Sequence, residues 1–334
     1  MSWINKIKQK ELPSLLFKTI VFLAILFVLD LVFGTILANL YSKQKPGDIY
    51  RVTYSMDSTK QDILIFGASR ANHHYVPEIF KKRMNLSCYN TGSDGQIILY
   101  NYAVLKSVLE RYSPKIAILD FSRDEFQVDQ ESYDRLSALI PYYKTHPEIQ
   151  NIVDLRSPFE KYKMVSKIYP YNSLIFTMVM GAIKSHKERE NINEDNGYIP
   201  LYKNCYQQLR TDTSYGVHSL DSNKIKFFNC FLRDCKKSNI KLYVVISPLL
   251  IRYVHQNPSV SLVKSIAKKY QFPVYNFLND SLFYNNTLFA DDGTHLNDKG
   301  ARLFTNQVID SIMNDQAVNI SKGILVKQQN ISNN

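Results

Sequence analysis

Read for its apolar and polar positions, the chain divides into one long apolar run, several short ones separated by helical patterns, and a tyrosine-rich stretch. The long run, Thr19 to Leu40, is apolar except for Thr19, Asp30, Thr35 and Asn39. As a helix it would span roughly 33 Å, the hydrocarbon thickness of a bilayer. Runs of strand length follow at Asp62 to Phe66, Ser87 to Asn90, Lys115 to Phe121, Lys241 to Ser247 and Pro273 to Phe277. Between them the spacing predicts helices over Val76 to Asn85, Ile97 to Arg111, Asp221 to Lys237 and Val260 to Tyr270, with a last one from about Asp298 to Asn314. Strand and helix in alternation predict a parallel sheet covered by helices.

The alternation breaks between Glu125 and about Leu220, where tyrosines recur from Tyr133 to Tyr215 among helical patterns. This segment reads as an insertion over the carboxyl ends of the strands, positioned as a lid. Tyrosine stacks on sugar rings, so the insertion is either a glycan platform or a packing element. Within it, Leu174 to Ile183 is strongly apolar but too short to span a membrane, and belongs inside the insertion, against the bilayer or against a membrane partner.

The expected layout is a cytoplasmic tail at 1–18, a transmembrane anchor at 19–40, a polar stalk at 41–61, an α/β domain at 62–314 with the insertion at about 125–220, and a polar tail at 315–334. The anchor reads as retained, because the run is too long for a signal-peptide core and no small-x-small cleavage site follows. Lys6, Lys8, Lys10 and Lys18 precede it and Lys43, Lys45 and Arg51 follow. The positive-inside rule then favours a cytoplasmic amino terminus and an exported body. Asp30 in mid-span is costly in lipid, and points either to a contact with another membrane helix or to a carboxyl that is protonated or meets local water.

A net charge of +11 is scattered rather than patched. It attracts anionic lipid or acidic glycan, and no zinc finger, RNA-binding signature or basic repeat argues for a nucleic-acid partner. Four cysteines, at 88, 205, 230 and 235, make no disulfide scaffold. Cys230 and Cys235 lie five apart on one expected helix with diverging side chains, and Cys88 falls in a core strand.

The candidate chemistry begins where Ile63-Leu64-Ile65-Phe66 stops at Gly67 and presents Ser69. A serine at the carboxyl end of a parallel strand is either a helix cap or a nucleophile that needs a base within reach. At the other end of the chain, Asp292-Gly293-Thr294-His295 sets a carboxylate three residues ahead of a histidine. That spacing lets the acid hold one imidazole nitrogen while the other faces outward, the orienting role of the acid in a Ser-His-Asp triad. A surface turn or a pair of metal ligands has the same pattern, but no further ligand cluster accompanies it, so neither metal nor cofactor is expected.

The order of nucleophile after strand one, glycine turn after strand two, and an acid and base three apart before the last helix resembles the SGNH (GDSL-like) hydrolase superfamily. The resemblance covers about Asp62 to Asn314 and implies a three-layer α/β/α, flavodoxin-like fold. Gly67-Ala68-Ser69-Arg70 matches the nucleophile block, implying Ser69, whose amide also serves the oxyanion hole. Asn90-Thr91-Gly92-Ser93-Asp94-Gly95 is similar to the second block, implying an oxyanion amide at Gly95, with Gly92 in reserve. Asp292-Gly293-Thr294-His295-Leu296-Asn297 is similar to the last block, implying Asp292 as orienter and His295 as base. The third block departs from the pattern, with Asp124 where the family has a donating asparagine. A carboxylate there would repel an oxyanion, leaving Arg70, Ser122 or Arg123 to supply a donor; Arg70, Gly92 and Arg123 are also substrate-binding candidates. α/β-Hydrolases share the Ser, Asp, His order, but their elbow ends in a glycine where Ala71 stands here.

The expectation is a single-pass protein on the outer face of a bacterial cytoplasmic membrane: a serine esterase or O-acetyltransferase acting on acyl groups of a cell-envelope polysaccharide. Anchored domains of this kind resemble partners of multi-spanning membrane O-acyltransferases. The alternative is a catalytically weak module that binds glycan or scaffolds a modification complex.

Overall fold

The computed structural model describes residues 2–45, 47–183, 196–214 and 219–332, with side chains over 13–180 and 196–315 within those ranges. Lys6, Lys8, Lys10, Tyr215 and the tail beyond Asp315 lie outside the described side chains.

Helix α1 (Ser2–Ser42) carries a stretch, Pro13–Ser42, that is long and apolar enough to cross a membrane. The next segment, read above as a polar stalk, is instead helix α2 (Asp48–Asp57), docked on the body through Ile49, Val52 and the fully buried Met56. Strand β1 (Ile63–Phe66) follows, then helices α3 (Ser69–His74) and α4 (Pro77–Met84), β2 (Cys88–Asn90), α5 (Ile98–Leu109) and β3 (Ile116–Asp120). After the insertion, with its short helices α6 (Glu131–Asp134), α7 (Gln150–Val153), α8 (Glu160–Lys163) and α9 (Ile175–Ile183) and strand β4 (Arg210–Asp212), come α10 (Ser222–Lys237), β5 (Lys241–Ile246), β6 (Ile251–Tyr253), α11 (Pro258–Tyr270), β7 (Val274–Asn276) and α12 (Asp298–Ser332). The α12 backbone thus stays helical past the expected end near Asn314, and Ile312 is the last buried residue among its described side chains.

The five strands foreseen from apolar runs form one parallel sheet in the order β2-β1-β3-β5-β7. Their alternating side chains feed two cores. Leu64, Phe66, Leu119 and Val244 face α2, α5, α10 and α11, whereas Ile63, Ile65, Ile118 and Val245 face α3, α4 and α12. Helices therefore cover both faces, which is why the strands read as continuous apolar runs. The chain passes from β1 to β2 on one side and to β3 on the other, so the order reverses between β1 and β3. Parallel sheets open a crevice at the carboxyl ends of such a pair. Ser69 follows β1, and Asp120 ends β3, beside that crevice.

The insertion has two parts. Its first part packs on the α5 side, where Leu136, Leu139, Ile149, Ile152 and Val153 join the core. Its second part runs past the strand ends, with Asn196 O accepting from Asn90 N–H at 2.9 Å, and Leu201 O from Asp298 N–H at 2.7 Å. Arg210–Asp212 then pairs in parallel with Ile251–Tyr253 as a separate two-stranded sheet. Four of its tyrosines set their hydroxyls on carboxylates: Tyr133 with Asp221, Tyr143 with Asp154, Tyr169 with Glu160 and Tyr198 with Asp298. Tyr202 and Tyr206 are exposed.

Within the chain, Asp30 is met by the insertion. Its carboxylate accepts from Ser166 Oγ at 2.5 Å, Lys167 N–H at 2.7 Å and Ile168 N–H at 3.3 Å, all from the insertion. One turn on, a Cβ at Gly34 would collide with the Lys167 main chain, so glycine is what lets the insertion lie flat on α1. Farther along, the Tyr41 ring meets Tyr171, and its hydroxyl bonds Tyr142. None of the four cysteines forms a disulfide, and Cys88 is buried in its strand.

Candidate active site

After β1 the chain turns at Gly67, whose φ of +149° favours glycine. A Cβ there would also press on Asp120 Cβ at 2.9 Å. The Gly67 N–H donates to Asn101 Oδ1 at 3.0 Å, and Ser69 then opens α3.

The base arrives on a closed loop. Phe289 and Leu296 form an antiparallel bridge, and Ala290 N–H donates to His295 O at 2.8 Å. Inside the loop, Asp292 Oδ1 accepts from the N–H groups of Thr294 and His295 at 2.8 and 2.9 Å. Its other oxygen lies 2.5 Å from His295 Nδ1, and His295 Nε2 lies 2.7 Å from Ser69 Oγ. With Nδ1–H donating to Asp292, Nε2 is left to accept the serine proton. Burial acts to raise the Asp292 pKa, but the bonds from the His295 ring and from the two backbone amides outweigh it and hold the carboxyl below its usual range. Serine, histidine and aspartate, separated by more than 220 residues, thus form one hydrogen-bonded chain.

The glycine turn docks on the nucleophile's own turn, with Ser93 N–H donating to Gly67 O at 3.2 Å. The two candidate glycines differ in what their amides do. Gly92 N–H is taken by Asn90 Oδ1 at 3.0 Å, whereas among the described residues the amides of Ser69 and Gly95 have no acceptor. Ser69 and Gly95 therefore keep amide donors that Gly92 does not. The Arg135 guanidinium lies against Gly95 and is paired with Glu131.

The third-block residues are engaged within the protein. Asp124 accepts from Arg123 Nη1 at 3.1 Å and from Asn257 Nδ2 at 2.6 Å, and Asn257 caps α11. Arg123 stacks on the Tyr253 ring at 4.0 Å. Arg70 is buried; it donates to Ser122 Oγ, and its Nε lies 3.7 Å from Asp120. Asp120 also accepts from Tyr75 Oη at 2.6 Å and from Ser247 Oγ. Burial raises the Asp120 pKa despite the opposing pull of Arg70, Ser247 and Tyr75. Arg70 and Arg123 thus brace the crevice floor and wall.

Sequence reading passed over three residues beside the triad. His74 Nε2 accepts from Leu296 N–H at 2.9 Å, pinning the base loop; burial drives its pKa far down and keeps it neutral. The His73 ring stands edge-on to His295 at 5.2 Å, with Nδ1 2.7 Å from Ile199 O; burial lowers its pKa too. Arg51, from α2, is buried and donates through Nη2 to Gly92 O at 2.9 Å, to Gly197 O at 2.8 Å and to Asn72 Oδ1. The histidines had a signal, four and five positions after Ser69 on a helix; Arg51 had none. Among the described residues no group of His, Cys, Asp and Glu could hold a metal ion.

Comparison with known proteins finds no family model that matches the chain and no curated protein that matches it.

Proposed function

We propose that this chain is a membrane-anchored serine esterase or O-acyltransferase of the SGNH type, acting on acyl esters, above all acetyl, of a cell-envelope polysaccharide. The observation that carries the reading is the hydrogen-bonded chain from Asp292 through His295 to Ser69, at 2.5 and 2.7 Å. The sheet order, with its crevice beside Ser69, also supports it.

In this mechanism His295 Nε2 takes the Ser69 proton as Oγ attacks the ester carbonyl carbon. Asp292 stabilises the imidazolium, and the Ser69 and Gly95 amides receive the negative charge on the carbonyl oxygen. The C–O bond to the leaving alcohol breaks, and His295 returns the proton to that alcohol. Water or a sugar hydroxyl, deprotonated by His295, then attacks the acyl-serine; the acyl C–Oγ bond breaks, His295 returns the proton to Ser69 Oγ, and the free acid or a new ester leaves. The specific second reading, a weakly catalytic glycan-binding or scaffolding subunit, draws on Asp124, whose carboxylate stands where the family carries an amide donor.

The same reading takes α1 as a retained anchor with the amino terminus inside and the body outside. Support comes from Asp30, Gly34 and Tyr41, which bind the insertion along the carboxyl-terminal part of α1; removing α1 would strip these contacts. A multi-spanning O-acyltransferase would be its natural partner.

The test is acyl release and transfer by the full chain in detergent, using an acetylated polysaccharide as donor with and without a free saccharide acceptor. Acetate or new acetyl ester that disappears in Ser69→Ala and in His295→Ala supports an enzyme. Equal background in all three supports the binding subunit.

A further inference from the structure

Resting on the reading of α1 as a membrane anchor, we infer that the insertion itself enters the outer leaflet: the segment from Phe159 to Ile168 is seated among lipid acyl chains beside α1. The exposed apolar side chains of α1 run from Leu15 to Ile36, a band of roughly 33 Å. Asp30 lies six residues inside the outer end of that band, about 9 Å deep at 1.5 Å per residue. The loop bonded to Asp30 and packed on Gly34, Ser166 to Ile168, therefore sits at hydrocarbon depth.

From there the chain climbs along α1. Tyr171 meets Tyr41, and Met178 O accepts from Gln44 Nε2 at 3.2 Å, so α9 lies at the level where α1 leaves the bilayer. The surface of the Phe159 to Ile168 segment suits lipid. Phe159, Tyr162 and Val165, three apart, are exposed at 63%, 62% and 76%. Val165 adjoins the loop held on Asp30 and Gly34, beside the exposed apolar side chains of α1, and acyl chains are the occupant that covers both.

The buried polar groups agree. A group in the hydrocarbon region must be satisfied within the protein. Glu160 is fully buried and is met by Arg156 at 3.0 Å, Lys163 at 2.9 Å and the Tyr169 hydroxyl at 2.8 Å. Asp30 has three donors from its own chain. Lys161 and Lys167 have stems long enough to carry their charges up to lipid headgroups. The consequence is a domain held at fixed height and tilt over the bilayer, with its crevice presented to membrane-proximal substrate.

The test uses the full chain in phosphatidylcholine/phosphatidylglycerol vesicles, with the lone Trp3 changed to Phe and one tryptophan introduced at an exposed position. Val165→Trp should be quenched about twofold or more by lipids brominated on their acyl chains, as should Phe27→Trp on α1, while Tyr206→Trp should not respond. Quenching of Phe27→Trp without quenching of Val165→Trp overturns the inference and leaves the anchor standing. No quenching at Phe27→Trp overturns the anchor reading itself. A Val165→Trp shielded from both bromine and aqueous iodide would mean that a second copy of the chain covers the segment, which also overturns the inference.

Discussion

Arg51 Nη2 donates to the carbonyl oxygen of Gly92 at 2.9 Å, joining the helix that follows the apolar span to the turn beside the nucleophile. The same nitrogen reaches Asn72 on α3 and Gly197 on the insertion, so one buried cation ties three segments of the crevice rim. Arg51→Met removes the donor and strands two buried carbonyls. A loss on the order of 2–3 kcal/mol in urea unfolding is expected, with Arg51→Lys recovering part of it.

Asp292→Asn keeps the shape of the base loop but replaces the acceptor of the His295 Nδ1 proton. An amide that turns its nitrogen toward the ring favours the tautomer with no lone pair for Ser69. Reaction of Ser69 with an activated ester should fall on the order of 10³–10⁴-fold, with the fold unchanged by circular dichroism.

Glu125 gives a pH signature in stability. Burial pushes its carboxyl up from 4.5 to about 7, against the N–H of Ile98 that it accepts at 2.6 Å, the charge of Lys224 and the N–H of Ser122. The folded protein therefore holds this proton more tightly than the unfolded chain does. The contribution is fully present below pH 4.5 and is lost as pH rises through about 7. Unfolding free energies of wild type and Glu125→Gln, measured between pH 4.5 and 8, should diverge across that window by at most a few kcal/mol, with wild type losing stability as pH rises.

Gly34→Leu places a side chain where the Lys167 main chain lies. The insertion should lift from α1 while the sheet stays folded. Limited proteolysis in detergent should then cut near residues 165–176 several times faster than in wild type, and Asp30→Ala should act in the same direction.

Much of this arrangement was legible in the residues. The five strands announced themselves as apolar runs because both sheet faces are covered, and the three-residue spacing of Asp292 and His295 carried the geometry of the base. The α2 segment was read as a stalk because two of its buried positions, Arg51 and Ser55, are polar; its apolar signal was only Ile49, Val52 and Met56 at helical spacing. The partner of Asp30 was illegible, since Ser166 lies 136 positions away and nothing local marks it. That Asn90 takes the Gly92 amide is a local contact two residues apart, legible in principle from Asn90-Thr91-Gly92, which the reading of the residues did not weigh.

The most direct measurement is covalent labelling of the full chain with a serine-directed fluorophosphonate, read by intact mass and peptide mapping beside Ser69→Ala and His295→Ala. The expected result is one adduct, on Ser69, that vanishes in both variants. A folded wild-type protein that takes no adduct, or takes it on another serine, would contradict Ser69 as an activated nucleophile.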